Sequence, residues 1–210
     1  MNVTEELDGK GKVKQRKRRV YQVCFREGAT FVKLLEVDGH TPAEADLKYQ
    51  AETQSNMRQL LGKSSSGEDT HDSLLTPEIV ERFDFTLVAE TTINGRAAYQ
   101  INFSPKRSGP PVQRMVDRLL DRISGTLWID SQEYEVARAN LSLGAQVDFL
   151  GGLLGCLRKV AYTMTRIRVA DGIWLHSISS GDFKGRKLLD PMWIKTRSEC
   201  TGFRLLASNK

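Results

Sequence analysis

Residue types that dominate catalytic and metal sites are scarce in this sequence. Only three histidines and three cysteines occur among its 210 residues. Cys24, Cys156 and Cys200 lie far apart, which excludes a dense disulfide framework and gives no metal-ligand spacing. Either one disulfide with a free thiol or three buried, reduced cysteines fits this pattern. The histidines form no pair at helical spacing, so the sequence predicts no metal site.

Motifs that bind phosphates or activate a nucleophile are also missing. No P-loop, no dinucleotide-binding glycine motif and no serine nucleophile elbow stands between a predicted strand and a predicted helix. No apolar run approaches the roughly 20 residues of a membrane-spanning helix. We therefore expect a protein that is not an enzyme and that uses no cofactor.

Positive charge is concentrated in one segment. The formal net charge is +5, and residues 10–19 (KGKVKQRKRR) hold seven basic residues and no acidic one. Such a run favours nucleic acid or an anionic membrane surface. Because no aromatic residue interleaves with it as a base-stacking platform, we favour a solvated edge strand, where Lys and Arg discourage edge-to-edge pairing. Nucleic acid is not an expected partner.

Two segments carry helix signals. The sequence TPAE at residues 41–44 combines a capping-box pattern with proline at the first helical position, and it predicts a helix that ends at Leu61. In the second segment, apolar residues recur at i, i+3, i+4, i+7, i+8 and i+11, the period of an amphipathic helix. These residues are Val112, Met115, Val116, Leu119, Leu120 and Ile123.

Residues 83–103 show the clearest strand alternation, on either side of Asn94-Gly95. A two-residue turn at Asn94-Gly95 would place the apolar sets of the two strands on opposite faces. A three-residue loop that ends at Gly95 places them on one face, and the pairs it creates are Leu87 with Ile101 and Phe85 with Phe103. Since the buried face sets the register, we predict the three-residue loop, with Gly95 in the left-handed conformation.

The same reasoning applies to the turn at residues 170–172. A three-residue loop there pairs Ile167 with Leu175 on one face. It leaves a second apolar set on the other face, namely Tyr162, Met164, Trp174 and Ile178. Apolar groups on both faces are expected where one face meets a core and the other is covered or lines a cavity.

The order of these elements predicts the fold class. About nine to eleven strands with two longer helices indicate a mainly β (α+β) protein, an open antiparallel half-barrel whose concave face the helices cover. Residues 63–72 are rich in serine and other polar residues, and we interpret them as a mobile loop. Residues 1–210 are then a single domain.

Several segments resemble one known superfamily. GTLWID at residues 125–130, followed by YEVAR at 134–138, resembles the strand-turn-strand signature of outer-membrane lipoprotein-sorting (LolA/LolB-like) proteins. RFDFTL, NGRAAY and FSP, between residues 82 and 105, are similar to an envelope branch of that superfamily. The resemblance covers roughly residues 20–205. It implies an open half-barrel that holds acyl chains, and a periplasmic or envelope location. Residues 1–6 show no signal sequence, so that location assumes a signal peptide that has been removed.

We therefore expect a noncatalytic periplasmic or envelope protein that binds or carries a lipid, a lipoprotein acyl chain or a similar apolar ligand. The alternative is an envelope scaffold or protein-interaction module without a small ligand. The predicted apolar lining, whose alternative is ordinary core, is Phe85, Leu87, Tyr99, Ile101, Met115, Leu119, Leu127 and Ile129. In the glycine-rich apolar segment 149–157, the residues predicted to contact a membrane or partner, rather than to complete a buried turn, are Leu150, Leu153 and Leu154.

Overall fold

The computed structural model describes residues 1–26, 29–61, 77–149 and 155–204, and it contains three helices and eleven strands. The helices are α1 (Glu44–Leu61), α2 (Pro77–Val80) and α3 (Met115–Leu120). The strands are β1 (Asn2–Leu7), β2 (Val13–Arg26), β3 (Ala29–Val37), β4 (Phe83–Ile93), β5 (Arg96–Pro105), β6 (Ile123–Asp130), β7 (Val136–Leu143), β8 (Val147–Phe149), β9 (Gly155–Ala170), β10 (Ile173–Lys187) and β11 (Asp190–Glu199). The predicted loop at residues 63–72 lies outside the described residues.

All eleven strands belong to one antiparallel sheet. The strand order is β3-β2-β1-β11-β10-β9-β7-β6-β5-β4, and β8 pairs with β9 beside this path. The N-terminal strand β1 joins the C-terminal strand β11, so the first three strands extend the sheet beyond the last one. Within the described ranges, β3 and β4 form opposite edges and do not pair with each other. The mainly β class, the open antiparallel sheet and the strand number are as predicted.

The hairpin of β4 and β5 has the predicted pairs but not the predicted turn. Ile93 pairs with Arg96, so the loop is the two-residue turn Asn94-Gly95, and both of its residues have positive φ (52° and 78°). Leu87 nevertheless pairs with Ile101, because Val88 is left out of the ladder as a β-bulge. The three-residue loop was wrong. The left-handed Gly95 and the shared apolar face are confirmed.

The hairpin of β9 and β10 repeats this arrangement. Ala170 pairs with Ile173 across a two-residue turn, which again corrects the predicted three-residue loop. Val169 is left out of the ladder, and this bulge restores the predicted pairing of Ile167 with Leu175.

A second irregularity in β10 changes the face of one predicted residue. Ser177 is left out of the pairing, so Ile178 lies opposite Thr165 instead of on the side of Met164. Because neighbouring residues of a strand point to opposite faces, one unpaired residue moves every later side chain to the other face. The prediction that Ile178 shares a face with Met164 and Trp174 was therefore wrong.

We call one face of the whole sheet the core face, because the hydrophobic core lies on its β4 to β9 part. Its buried residues, the core cluster, are Phe83, Phe103, Ile123, Leu127, Val136, Ala139 and Met164. Phe83 and Phe103 meet edge to face with ring centroids 5.2 Å apart. Ile79, Leu119 and Leu120, from α2 and α3, pack against the cluster. Each large side chain that is fully buried contributes about 1.5–3 kcal/mol.

Helix α3 is much shorter than the predicted stripe of residues 112–123. The Asp117 carboxylate accepts hydrogen bonds from the backbone N–H groups of Gln113 and Arg114 (2.9 and 2.8 Å), which caps the helix at this point. At the other end, Ile123 already pairs with Leu143 as part of β6. Only α1 is long, and it contacts β3 and α3. That helices cover the whole face stays a prediction.

Residues 13–19 of the basic segment form the first half of β2, which is an interior strand between β1 and β3. The interpretation as a solvated edge strand was therefore wrong. Several of its cations have a partner on a neighbouring element: Arg16 with Glu5, Lys17 with Asp46, Arg18 with Glu36, and Arg19 above the ring of Tyr49. The partners lie up to tens of residues away along the chain, so the sheet compensates much of the charge that the sequence concentrates.

Candidate functional site

One row of side chains crosses the whole core face. From β3 to β4, the residues in register are Val37, Arg19, Asn2, Ser198, Ser179, Met164, Ala139, Leu127, Ile101 and Leu87. The part from Met164 to Leu87 is entirely apolar, whereas the part from Arg19 to Ser179 is polar. Four strand-to-strand steps of about 4.8 Å make the apolar part roughly 19 Å long. Within this row, apolar contact is therefore available only between β4 and β9.

The apolar part of the row is buried at its centre and open at its β4 end. Leu127 is 6% exposed, whereas Phe85 is 38% and Leu87 is 60% exposed. Tyr99 and Ile101, on the neighbouring strand β5, are half-buried. We call Phe85, Leu87, Tyr99 and Ile101 the apolar edge patch. Exposed apolar groups that continue a core in this way are typical of ligand or partner sites.

The structure separates the predicted lining residues into three groups. The apolar edge patch contains four of them, and these remain accessible. Leu127 belongs to the core cluster, while Ile129 and Leu119 are partly buried against it. Met115 begins α3, but its side chain lies outside the described residues, as do Leu150, Leu153 and Leu154 altogether. The lining of a ligand site by these residues remains a prediction.

A buried ion pair fixes α3 at the start of β4, next to the apolar edge patch. Arg82 is 3% exposed, and its Nη2 lies 3.2 Å from Oδ2 of the fully buried Asp117. Its Nη1 lies 3.2 Å from Oδ1 of Asp121 and donates to the carbonyl of Pro110. Removing one partner of such a pair leaves a buried, uncompensated charge. This ion pair thus holds α3 against the start of β4.

A small depression that the sequence did not indicate lies between β2, β3 and α1. Its volume is about 180 Å³, and its lining residues are Tyr21, Val32, Tyr49, Gln50 and Thr53. The Gln50 side chain donates a hydrogen bond to the carbonyl of Val32 (3.3 Å). Burial raises the pKa of the Tyr21 hydroxyl, which stays neutral. The alternation of Tyr21 and Val23 was the available signal, but strand alternation alone does not show that a helix lies opposite.

The turns at one end of the sheet are joined by a paired charge network. Asp130 is 1% exposed and accepts two hydrogen bonds from Arg96, Nε to Oδ2 at 2.6 Å and Nη2 to Oδ1 at 3.0 Å. The hydrogen bond from Arg96 lowers the pKa of the Asp130 carboxyl to about 2. Glu133 accepts from the Trp174 indole (2.6 Å) and from Arg168 (2.5 Å), which lowers its pKa. These paired carboxylates stabilise turns.

The cysteines and the possible metal ligands of the described residues were predicted from the sequence to form no site. All three cysteines are free thiols, but only Cys156 is buried, whereas Cys24 and Cys200 are half-buried, so the prediction of three buried, reduced cysteines holds only in part. No group of three metal-ligating side chains occurs in residues 1–26, 29–61, 77–149 and 155–204. No helix within those ranges is both long enough and apolar enough to cross a membrane.

The chain is similar to three solved structures. No family model and no curated protein sequence matches it. One structure is a DUF1329 family protein from Desulfovibrio piger (15% identity, TM-score 0.34). The match covers 97% of this chain and 85% of that protein. Another is an outer membrane lipoprotein-sorting protein domain from Vibrio parahaemolyticus (11% identity, TM-score 0.30, 97% of this chain and 85% of that one). The third is the Pseudomonas aeruginosa MucA/MucB complex (11% identity, TM-score 0.27, 93% and 86%).

Proposed function

We propose that this protein is a noncatalytic binding or carrier protein for a lipid, a lipoprotein acyl chain or a similar apolar ligand. The observation that supports this function most strongly is the apolar edge patch. Leu87 is 60% exposed, although it pairs with Ile101, which in turn pairs with the buried Leu127. The fold thus leaves open one end of a surface that is otherwise packed as core.

The energetic argument favours an apolar occupant over water at this patch. Covering apolar surface contributes about 25 cal/mol per Å², so a ligand that buries Phe85 and Leu87 gains several kcal/mol before the cost of its own ordering. Tyr99 and Ile101 widen the surface, and Tyr99 adds a hydroxyl at its margin. In this proposal Leu119, Leu127 and Ile129 form the inner wall toward α3.

We place this function in the periplasm or cell envelope, as the resemblance of residues 125–138 implies. Fractionation of the native host, with antibody against this chain, tests the location. We expect the protein in the periplasmic or membrane-associated fraction. Recovery with cytoplasmic markers alone would contradict this placement without affecting the binding proposal.

A titration with an uncharged apolar fluorophore, N-phenyl-1-naphthylamine, tests the binding function. The double variant Phe85→Ser/Leu87→Ser should weaken binding about tenfold or more, because it removes apolar contact area from the patch. Both side chains are exposed, so the fold should be retained. Ile178→Ser is the matched control, since Ile178 is 44% exposed and lies on the opposite face. Equal affinity of all three proteins would remove the patch as the site.

A protein partner is the second candidate for the same region, because β4 is an edge strand. Residues 84–90 are exposed throughout, and the outer side of β4 has no paired strand among the described residues. Edge strands of this kind can accept an added strand from another chain. Two results together would favour this scaffold function. The protein would bind no apolar probe, and it would co-purify with a partner protein that the variant Val88→Pro no longer retains.

A further inference from the structure

A wide depression of the described surface lies on the face opposite the core face. It spans β2, β1, β11, β10 and β9 and has a volume of about 700 Å³. We call it the opposite-face trough, and the lining residues used below are Glu5, Thr163, Ser180, Asp182, Lys195 and Arg197. Ser179 lies in the row of the core cluster, so the neighbouring Ser180 points to this other side. The volume is within the range of small-molecule sites.

The trough exists because short side chains form its floor and long ones form its rim. Ala161, Thr163 and Ser180, on β9 and β10, are the floor. Lys195 and Arg197 are exposed on β11, and the register places Arg197 directly opposite Ser180, which in turn lies opposite Thr163. A guanidinium group and two hydroxyl groups thus stand in one row.

Among the described residues, Lys195 and Arg197 form no salt bridge, and Lys195 Nζ lies 5.7 Å from the centroid of the Trp193 ring. Asp182 is the register neighbour of Lys195, but its two oxygens accept from Lys159 Nζ (2.7 Å) and the Trp193 indole (2.8 Å). Glu5, the neighbour on the other side, lies 3.6 Å from Arg16. In the described part of the chain, no carboxylate lies within 4 Å of the charged atoms of Lys195 or Arg197.

The two hydroxyl groups supply a further donor. Thr163 Oγ1 and Ser180 Oγ lie 2.8 Å apart, so one hydroxyl hydrogen is used between them. Each hydroxyl carries one hydrogen, and the second therefore remains free to donate outward. Glu199 also lines the trough and lies two residues from Arg197 on the same face of β11, so its carboxylate opposes an anion at that end.

We propose that the opposite-face trough binds a small polyanion that carries carboxylate or phosphate groups. Arg197 and Lys195 hold the charged groups, and the hydroxyl pair of Thr163 and Ser180 donates to one of their oxygens. A guanidinium group with two donors in a plane suits both carboxylate and phosphate oxygens. This site is independent of the apolar edge patch, which lies on the other face.

Isothermal titration calorimetry at low ionic strength tests this site, with citrate and inorganic pyrophosphate as the two probes. We expect saturable binding of at least one probe, and which one binds distinguishes carboxylate from phosphate recognition. Arg197→Gln and Lys195→Gln should each weaken that binding about tenfold. Ser180→Ala should weaken it several-fold without any change in charge. The matched control is Arg138→Gln, because Arg138 stacks on Trp128 (5.0 Å) on the same face but outside the trough.

Binding of neither anion would overturn the proposal. So would an equal loss in Arg138→Gln and Arg197→Gln, since that result indicates general charge attraction. Circular dichroism of each variant establishes that it is folded. The variant Arg197→Lys keeps the positive charge but loses the paired donors, so it should retain part of the affinity for the anion. Naphthylamine binding should be the same in Arg197→Gln and the unmodified protein, so failure of one site is distinguishable from failure of the other.

Discussion

The two halves of the sheet share one hydrogen-bonded ladder, yet different interactions stabilise them. On the core face, the β4 to β9 half presents Leu87, Ile101, Leu127 and Met164 in register. The half formed by β10, β11, β1 and β2 presents hydroxyl, amide and charged groups in the same row. Its contacts are of the kind made by Asn2 and Ser198 (2.7 Å) and by Lys17 and Asp46 (2.7 Å).

This difference between the two halves concerns both stability and the proposed binding sites. Apolar burial is concentrated in one half, where the apolar edge patch is the part of the core surface that the fold does not cover. In the other half, polar pairs hold strands together and leave the opposite face free to form a trough. The two halves should therefore respond very differently to substitution.

Truncation of a core residue should have the largest effect. Phe103 is 8% exposed and contacts Phe83, so Phe103→Ala should lower the free energy of unfolding by about 3–5 kcal/mol. Ser198→Ala, in the polar half, should lower it by only about 1 kcal/mol, because one side-chain hydrogen bond is lost. Urea denaturation monitored by tryptophan fluorescence measures both. Similar losses for the two variants would contradict the proposed division.

The charge network at the turns should rank next. Asp130→Asn leaves the Arg96 guanidinium without its carboxylate in a largely buried position, and should cost about 2–3 kcal/mol. The same denaturation experiment checks this value. A loss below about 0.5 kcal/mol would show that the turns do not depend on this ion pair.

The stability should also depend on pH through Asp130. Its pKa is lowered from 3.8 to about 2 in the folded state, so its contribution is complete above pH 3.8 and is lost as the pH falls through about 2. The difference corresponds to about 2 kcal/mol. Thermal unfolding between pH 5 and 2 should show this component in the unmodified protein, and Asp130→Asn should lack it. Parallel pH curves for the two proteins would refute the assignment.

The ion pairs of the basic strand should have the smallest effects. A double-mutant cycle of Lys17→Gln and Asp46→Asn should give a coupling energy below about 1 kcal/mol, since both side chains are partly exposed. Added salt should reduce this coupling further. A coupling energy of 3 kcal/mol or more would mean that this half is stabilised as strongly as the core.

Strand pairing could be predicted from the sequence because alternation specifies which face is buried. The pairs Leu87 with Ile101 and Ile167 with Leu175 follow from that rule alone. The position of the extra residue does not follow, since a bulge at Val88 and a longer loop at Ile93 give the same pairs. Asn94-Gly95 itself favours the two-residue turn, and that local preference was the better guide.

Features that depend on strand order could not be predicted in this way. β2 is interior because β1 and β3 both pair with it, and its cations contact residues that are distant in sequence, Lys17 with Asp46 and Arg18 with Glu36. The exposure of Leu87 depends on the edge position of β4, whereas its periodicity is that of a core residue. The sequence therefore indicated an apolar face, but not which part of that face is open.

Native mass spectrometry of the protein purified from its own host tests the central proposal most directly. The account predicts a bound lipid or acylated species on the unmodified protein. The same species should be retained by Ile178→Ser and lost from Phe85→Ser/Leu87→Ser. An unmodified protein without any adduct, or an adduct that persists in the double variant, would contradict a lipid-binding role for the apolar edge patch.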